Sequence, residues 1–104
     1  MKSSKPYQAT LIEALANPEE ARAYLAVAME EFEMDGDKDH FLLALRNVAE
    51  AQGGIGALAK RTRLNREHLY RILSKNGNPG LDKVGAILNG LGFRLSIQLV
   101  EAKS

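Results

Sequence analysis

Apolar residues recur at three- and four-residue spacing along most of the chain, and Gly, Pro, Asn and Asp interrupt the recurrence at intervals. Residues 1–8 lack the pattern and are expected to fray. The stretch Thr10-Leu11-Ile12-Glu13-Ala14-Leu15-Ala16 predicts a short helix stopped by Asn17-Pro18. Asn17 then serves as N-cap, with Pro18 at the first helical position and Glu19-Glu20 in the first turn, where the helix dipole favours acids. That helix continues through Ala21, Tyr24, Leu25, Ala28 and Phe32 to an end near Met34-Asp35-Gly36. Asp37 caps the next, which carries Phe41, Leu42, Leu45, Val48 and Ala49 on one face and stops at Gly53-Gly54.

Beyond this point the predicted elements shorten. Ile55 to Arg61 makes about two turns of helix, Thr62-Arg63-Leu64 is a tight connection, and Asn65 caps a helix from Arg66 to Leu73 or Ser74. Its buried stripe is Leu69, Ile72 and Leu73. Asn76-Gly77-Asn78-Pro79-Gly80 reads as a loop from its turn chemistry. Leu81 to Leu91 is amphipathic, with Gly92 as a left-handed stop. The period then changes: Phe93-Arg94-Leu95-Ser96-Ile97-Gln98-Leu99 alternates apolar and polar, the mark of a strand with one buried face. The best local partner for it, Tyr7 to Leu11, is weak, and a lone strand leaves a row of backbone groups unpaired. Two solutions remain: pairing with the same strand of a second copy about a two-fold axis, with Phe93, Leu95, Ile97 and Leu99 as dimerisation residues, or packing as an extended tail on its own domain. The expected fold class is all-α, with five or six helices and one C-terminal β-strand for dimerisation. An acidic N-terminal helical extension occupies 1–36, and a helix-turn-helix domain with the dimerisation strand occupies 37–104.

A chain of 104 residues suffices for one hydrophobic core. It has no Cys, which removes disulfides, zinc-finger ligation and thiol chemistry and suits a reducing cytosol. No apolar run approaches the ~18 residues that span a bilayer, and Met1 to Pro6 carries no apolar stretch behind its lysines, so neither a membrane partner nor a secretory signal is expected. The expected location is cytoplasmic.

The net charge of +1 conceals an asymmetry. Residues 11–50 hold the acids Glu13, Glu19, Glu20, Glu30, Glu31, Glu33, Asp35, Asp37, Asp39 and Glu50 against the bases Arg22, Lys38 and Arg46. Residues 51–104 are basic, most densely from Lys60 to Lys75, where Lys60, Arg61, Arg63, Arg66, Arg71 and Lys75 face Glu67 alone. Halves of opposite sign suit two partners of opposite charge.

Three patterns invite misreading. Gly54-Ile55-Gly56-Ala57-Leu58-Ala59 matches a dinucleotide fingerprint, but that fingerprint follows a strand, and here a helix precedes it. Asp35, Asp37 and Asp39 imitate the start of a calcium loop, yet His40 and Arg46 stand where that loop needs Gly and a bidentate Glu. His40 and His68 lie far apart without metal-ligand spacing. No nucleophile–base arrangement emerges either, so the reading is not an enzyme, with no catalytic residues, no metal and no cofactor.

The short helix, tight turn and second short helix at 55–74 meet the demands of a helix-turn-helix. A small residue, Ala59, sits at the helix crossing, and Leu58, Leu64, Leu69 and Ile72 supply the shared core. The second helix then turns Arg66, Glu67, Tyr70, Arg71 and Ser74 outward, toward a major groove. Arg66 or Arg71 suits a guanine edge and Glu67 a cytosine amino group, while Tyr70 and Asn65 can bond phosphate or base. The base-reading set is therefore Asn65, Arg66, Glu67, Tyr70 and Arg71. Lys60, Arg61, Arg63, Ser74 and Lys75 are the candidate phosphate contacts. A helical bundle with a merely basic surface, or an adaptor for an acidic protein, are the alternatives.

The ordered set Gly53-Gly54-Ile55-Gly56-Ala57-Leu58-Ala59, Leu64-Asn65-Arg66-Glu67-His68-Leu69-Tyr70-Arg71-Ile72-Leu73-Ser74, Gly77-Asn78-Pro79 and Leu91-Gly92-Phe93-Arg94-Leu95 resembles the addiction-module antidote family. The similarity runs from about Leu15 to Leu95 and includes Asn17-Pro18-Glu19-Glu20 and Tyr24-Leu25. That family sits within the wider Cro and phage-repressor class, so the resemblance implies a lambda-repressor-like bundle. It also implies a type II antitoxin that neutralises a small basic toxin of RelE/ParE type and, as a homodimer, represses its own operon at double-stranded operator DNA. A stand-alone phage-type repressor without a toxin is the alternative. The family usually has Gly in the turn where this chain has Arg63, because the backbone there prefers positive φ; a non-Gly residue costs about 1 kcal/mol. The acids of the N-terminal half, Glu19, Glu20, Glu30, Glu31, Glu33 and Asp35, would complement a basic toxin.

Overall fold

A computed structural model describes residues 7–101; the expectations that fall on residues 1–6 and 102–104 lie outside the described part. Six helices follow one another: α1 (Tyr7–Leu15), α2 (Pro18–Asp35), α3 (Lys38–Ala51), α4 (Ile55–Thr62), α5 (Arg66–Ile72) and α6 (Leu81–Gly90). The capping chemistry places most of their starts. Asn17 Oδ1 accepts from the N–H groups of Glu19 and Glu20 at 2.8 and 3.2 Å, and Asp37 Oδ1 accepts from Asp39 N–H at 3.0 Å. Gly36 ends α2 in the left-handed region at φ 74°.

The third helix is the centre of the bundle. Phe41, Leu42, Ala44, Leu45, Val48 and Ala49 are all buried along it, and α1, α2 and α4 pack against it. A single apolar cluster joins these residues to Leu15 of α1, to Ala21, Leu25 and Ala28 of α2, and to Leu58, Leu69, Leu73 and Ile87 of the later elements. Burial of each such leucine contributes about 2 kcal/mol. Asn47 is the one buried polar residue of this helix, and its amide is used at both ends. Its Oδ1 accepts from Gln8 Nε2 and its Nδ2 donates to the Tyr24 hydroxyl, both at 2.9 Å. That clasp ties α1 and α2 to α3, and it holds Gln8 within a helix, where the sequence predicts fraying through residue 8.

Near contacts fix the later half. A Cβ at Gly90 would lie 2.6 Å from Thr62 Cγ2 and 2.8 Å from Leu58 Cδ1, so α6 approaches α4 closely there and a side chain at that position would displace one of these groups. Gln52 Nε2 donates to the Leu91 carbonyl at 2.8 Å, closing the end of α6. At the start of α6, the Lys83 N–H and then the Lys83 ammonium hold the exposed Asp82 carboxyl below its ordinary range. The loop at 76–80 is pinned by Asn76 N–H, which donates to Asp39 Oδ1 at 3.0 Å.

The expected C-terminal β-strand is absent: no strand occurs among the described residues, and residues 93–101 carry no regular structure. The reason is physical. A strand exists only through a ladder of hydrogen bonds to a neighbour, and the weak candidate partner, Tyr7 to Leu11, lies inside α1. The start of the segment is held, with Phe93 packed on the core and Leu95 lining a hollow with Phe32, Leu81 and Val84. Farther along, Ile97 and Leu99 are almost fully exposed.

Gly77 offers the sharpest test of this packing. A Cβ there would sit 2.1 Å from the Ile72 carbonyl oxygen and 2.9 Å from that of Ser74, both backbone atoms that cannot yield cheaply. Gly77→Ala is expected to destabilise the fold by about 3 kcal/mol, the upper end of overpacking costs. Thermal unfolding would then shift downward by more than about 10 °C; an unchanged midpoint would contradict the loop geometry.

Candidate nucleic-acid interface

The local sequence joins the short helices α4 and α5 by a tight turn. The first of these ends at Arg63, whose φ of 62° and ψ of 22° lie in the left-handed region. Its N–H donates to the Ala59 carbonyl at 2.8 Å. The Thr62 hydroxyl bridges the turn, donating to the Leu58 carbonyl at 2.9 Å and accepting from Leu64 N–H at 3.2 Å. Asn65 caps α5, its Oδ1 accepting from His68 N–H at 2.9 Å. Leu69 and Leu73 are completely buried, Ile72 nearly so, and Ala59 sits buried beside them.

With that stripe inward, Asn65, Arg66, Glu67, Tyr70, Arg71, Ser74 and Lys75 are exposed, and so are Lys60, Arg61 and Arg63 of the preceding helix and turn. The Arg66 guanidinium lies 5.8 Å from the Tyr70 ring centroid. It also lies over Gly56, its Nε 3.8 Å from where a Cβ of that residue would be. Cation–π contact of this kind is worth about 0.5–1 kcal/mol at an exposed site and orients both groups. Arg71 Nη2 meets His68 Nδ1 at 3.1 Å, so His68, half-buried, steadies an outward arginine.

The candidate residues differ in what they are free to do. The side chains of Lys60, Arg63, Glu67 and Lys75 make no hydrogen bond or ion pair among the described residues. Arg61 is committed: its Nε donates to the Gly90 carbonyl at 2.7 Å and its Nη2 to Gln52 Oε1 at 3.2 Å. The Ser74 hydroxyl donates to the Arg71 carbonyl at 2.7 Å, closing the C-terminal turn of α5.

One residue of the site escaped the sequence reading. Arg46, from the middle of α3, extends its guanidinium to donate to the Leu73 carbonyl, where α5 ends. The available signal was its chemistry: a half-buried cation on an otherwise buried helix requires an acceptor, and helix C-termini supply unpaired carbonyls. Loss of this charged hydrogen bond removes about 1.5–3 kcal/mol. Arg46→Met is therefore expected to lower the unfolding free energy by about 2 kcal/mol and to speed amide hydrogen exchange in α5 before α2. Equal protection of the two helices would refute the anchoring role.

A family model described as "probable addiction module antidote protein" matches residues 5–99 of the chain. No curated protein and no solved structure matches it.

Proposed function

Since the chain belongs to the addiction-module antidote family, we propose that it is a sequence-specific DNA-binding antitoxin that neutralises a RelE/ParE-like toxin and represses its own operon. The observation that carries the DNA-binding part is the exposed face of α5, which offers Arg66, Glu67, Tyr70 and Arg71 to solvent while Leu69 and Leu73 lock the helix from beneath. Major-groove reading needs hydrogen-bonding groups of this kind on a rigid support. Asn65, Arg66, Glu67, Tyr70 and Arg71 form the base-reading set. Lys60, Arg63 and Lys75 supply phosphate contacts without giving up an internal partner; Arg61 and Ser74 would have to exchange one.

Repression then works by occlusion, and neutralisation by stoichiometric masking. The active species is a homodimer on a palindromic operator, its two recognition helices about 34 Å apart. Support for the dimer comes from the C-terminal segment: Ile97, Leu99 and Val100 are each more than 90 % exposed, apolar surface that a second copy would cover. The protein would act in the cytoplasm. No described helix is long and apolar enough to cross a membrane.

Binding to DNA from upstream of the chain's own gene is expected to weaken steeply with salt, through counterion release. Arg66→Ala should cost about 1–3 kcal/mol and relax one base position, whereas Lys75→Ala should weaken all sequences alike and lower the salt slope by about 1. An unaltered operator profile for Arg66→Ala would remove that residue from the reading set. Leu95→Asp with Ile97→Asp is expected to give monomers in sedimentation; persistent dimers would refute the terminal segment as the dimer contact.

A further inference from the structure

The acidic part of the chain forms a surface of its own. Between α2 and α3 lies a groove of about 280 Å³, lined by Tyr24, Val27 and Glu31 from one helix and by His40 and Leu43 from the other. Val27 and Leu43 remain 53 % and 41 % exposed. Helical spacing puts Glu20, Tyr24, Val27, Glu31 and Asp35 on a single stripe. Arg22 is the sole base of α2, and Glu19 pairs with it at 3.1 Å. An apolar floor with an anionic margin is thus left open on the bundle's largest helix pair.

We propose that this α2–α3 groove is the docking surface for the toxin, which seats an apolar side chain between Val27 and Leu43 and sets Lys or Arg side chains against Glu20, Glu31 and Asp35. The assignment rests on the antitoxin reading and names the face that performs it. Charge selects the occupant. A second copy related by a two-fold axis would bring the same carboxylates face to face, and like charges across an interface are costly. Nucleic acid is repelled for the same reason. The C-terminal segment of the chain lies elsewhere, since Leu95 lines a different hollow with Phe32, Leu81 and Val84. A basic protein is the occupant that the acids favour, and they would also accelerate its approach. No residue of the groove belongs to α4 or α5.

The test uses the intact chain and the purified polypeptide encoded beside it, with affinity read by calorimetry and association rate by stopped flow. Val27→Asp combined with Leu43→Asp is expected to weaken the complex by at least about 30-fold, as for loss of a central apolar anchor, with operator binding and helical circular dichroism unchanged. Glu20→Lys combined with Glu31→Lys, both at exposed positions, should slow association about tenfold at low salt and flatten its salt dependence. If the apolar pair disturbs the fold, the charge-reversed pair decides alone. A wild-type complex whose affinity and rate survive both double substitutions within about twofold would overturn the groove and leave the antitoxin reading standing. No complex with the wild-type chain would overturn that reading and the groove with it. Groove variants that turn dimers into monomers would assign the surface to a second copy and overturn the proposal.

Discussion

A helix of seven residues cannot hold itself together in water, because nucleation fixes several backbone angles before hydrogen bonds compensate for them. The α5 helix is of that length, so its shape and aim depend on what surrounds it. Leu69 and Leu73 sink completely into the bundle, Asn65 satisfies an N–H at one end, and Arg46 reaches across to the carbonyl of Leu73 at the other. The exposed face of α5 is held in place by these three supports. Were α5 loosely held, Arg66 and Arg71 would still be cations, but not cations at fixed positions, and a fixed position is what separates base reading from nonspecific attraction.

The arrangement of charge follows the same division of labour. Acids concentrate on α2 and the start of α3, and the bases cluster on α4, α5 and the turns that bound them. Because α3 lies between these groups in the packing, the two surfaces share a core without sharing residues. Charges of opposite sign thus occupy different helices of one small bundle, with the near-neutral total charge giving no hint of either.

Much of the fold was legible because it is local. Asn17, Asp37 and Asn65 announce helix starts through hydrogen bonds to residues two or three positions on, and such signals need no knowledge of the rest of the chain. The same holds for Arg63, whose left-handed backbone follows from its place in a tight turn. The outward set on α5 was readable too, since a buried stripe of Leu69, Ile72 and Leu73 defines its complement. What escaped was long-range. The Asn47 clasp joins residues 39 and 23 positions apart, Arg46 caps a helix 27 positions away, and Arg61 closes α6 from 29 away. Each satisfies a backbone or amide group that only tertiary packing brings near. The strand failed for a related reason: alternation prepares a segment for pairing, but a ladder requires a second edge, and this chain folds its remaining apolar segments into helices.

The turn residue Arg63 has a consequence for the ensemble that folding leaves behind. Holding a side-chain-bearing residue in the left-handed region costs the native state about 1 kcal/mol, while a glycine would have brought roughly 0.5–1 kcal/mol of additional disorder to the denatured chain. The second offsets only part of the first, because a side chain at positive φ destabilises by more than the entropy it saves. Arginine at the bend thus leaves a modest net cost in the native state, which the packed bundle absorbs, and it places an exposed positive group beside α5.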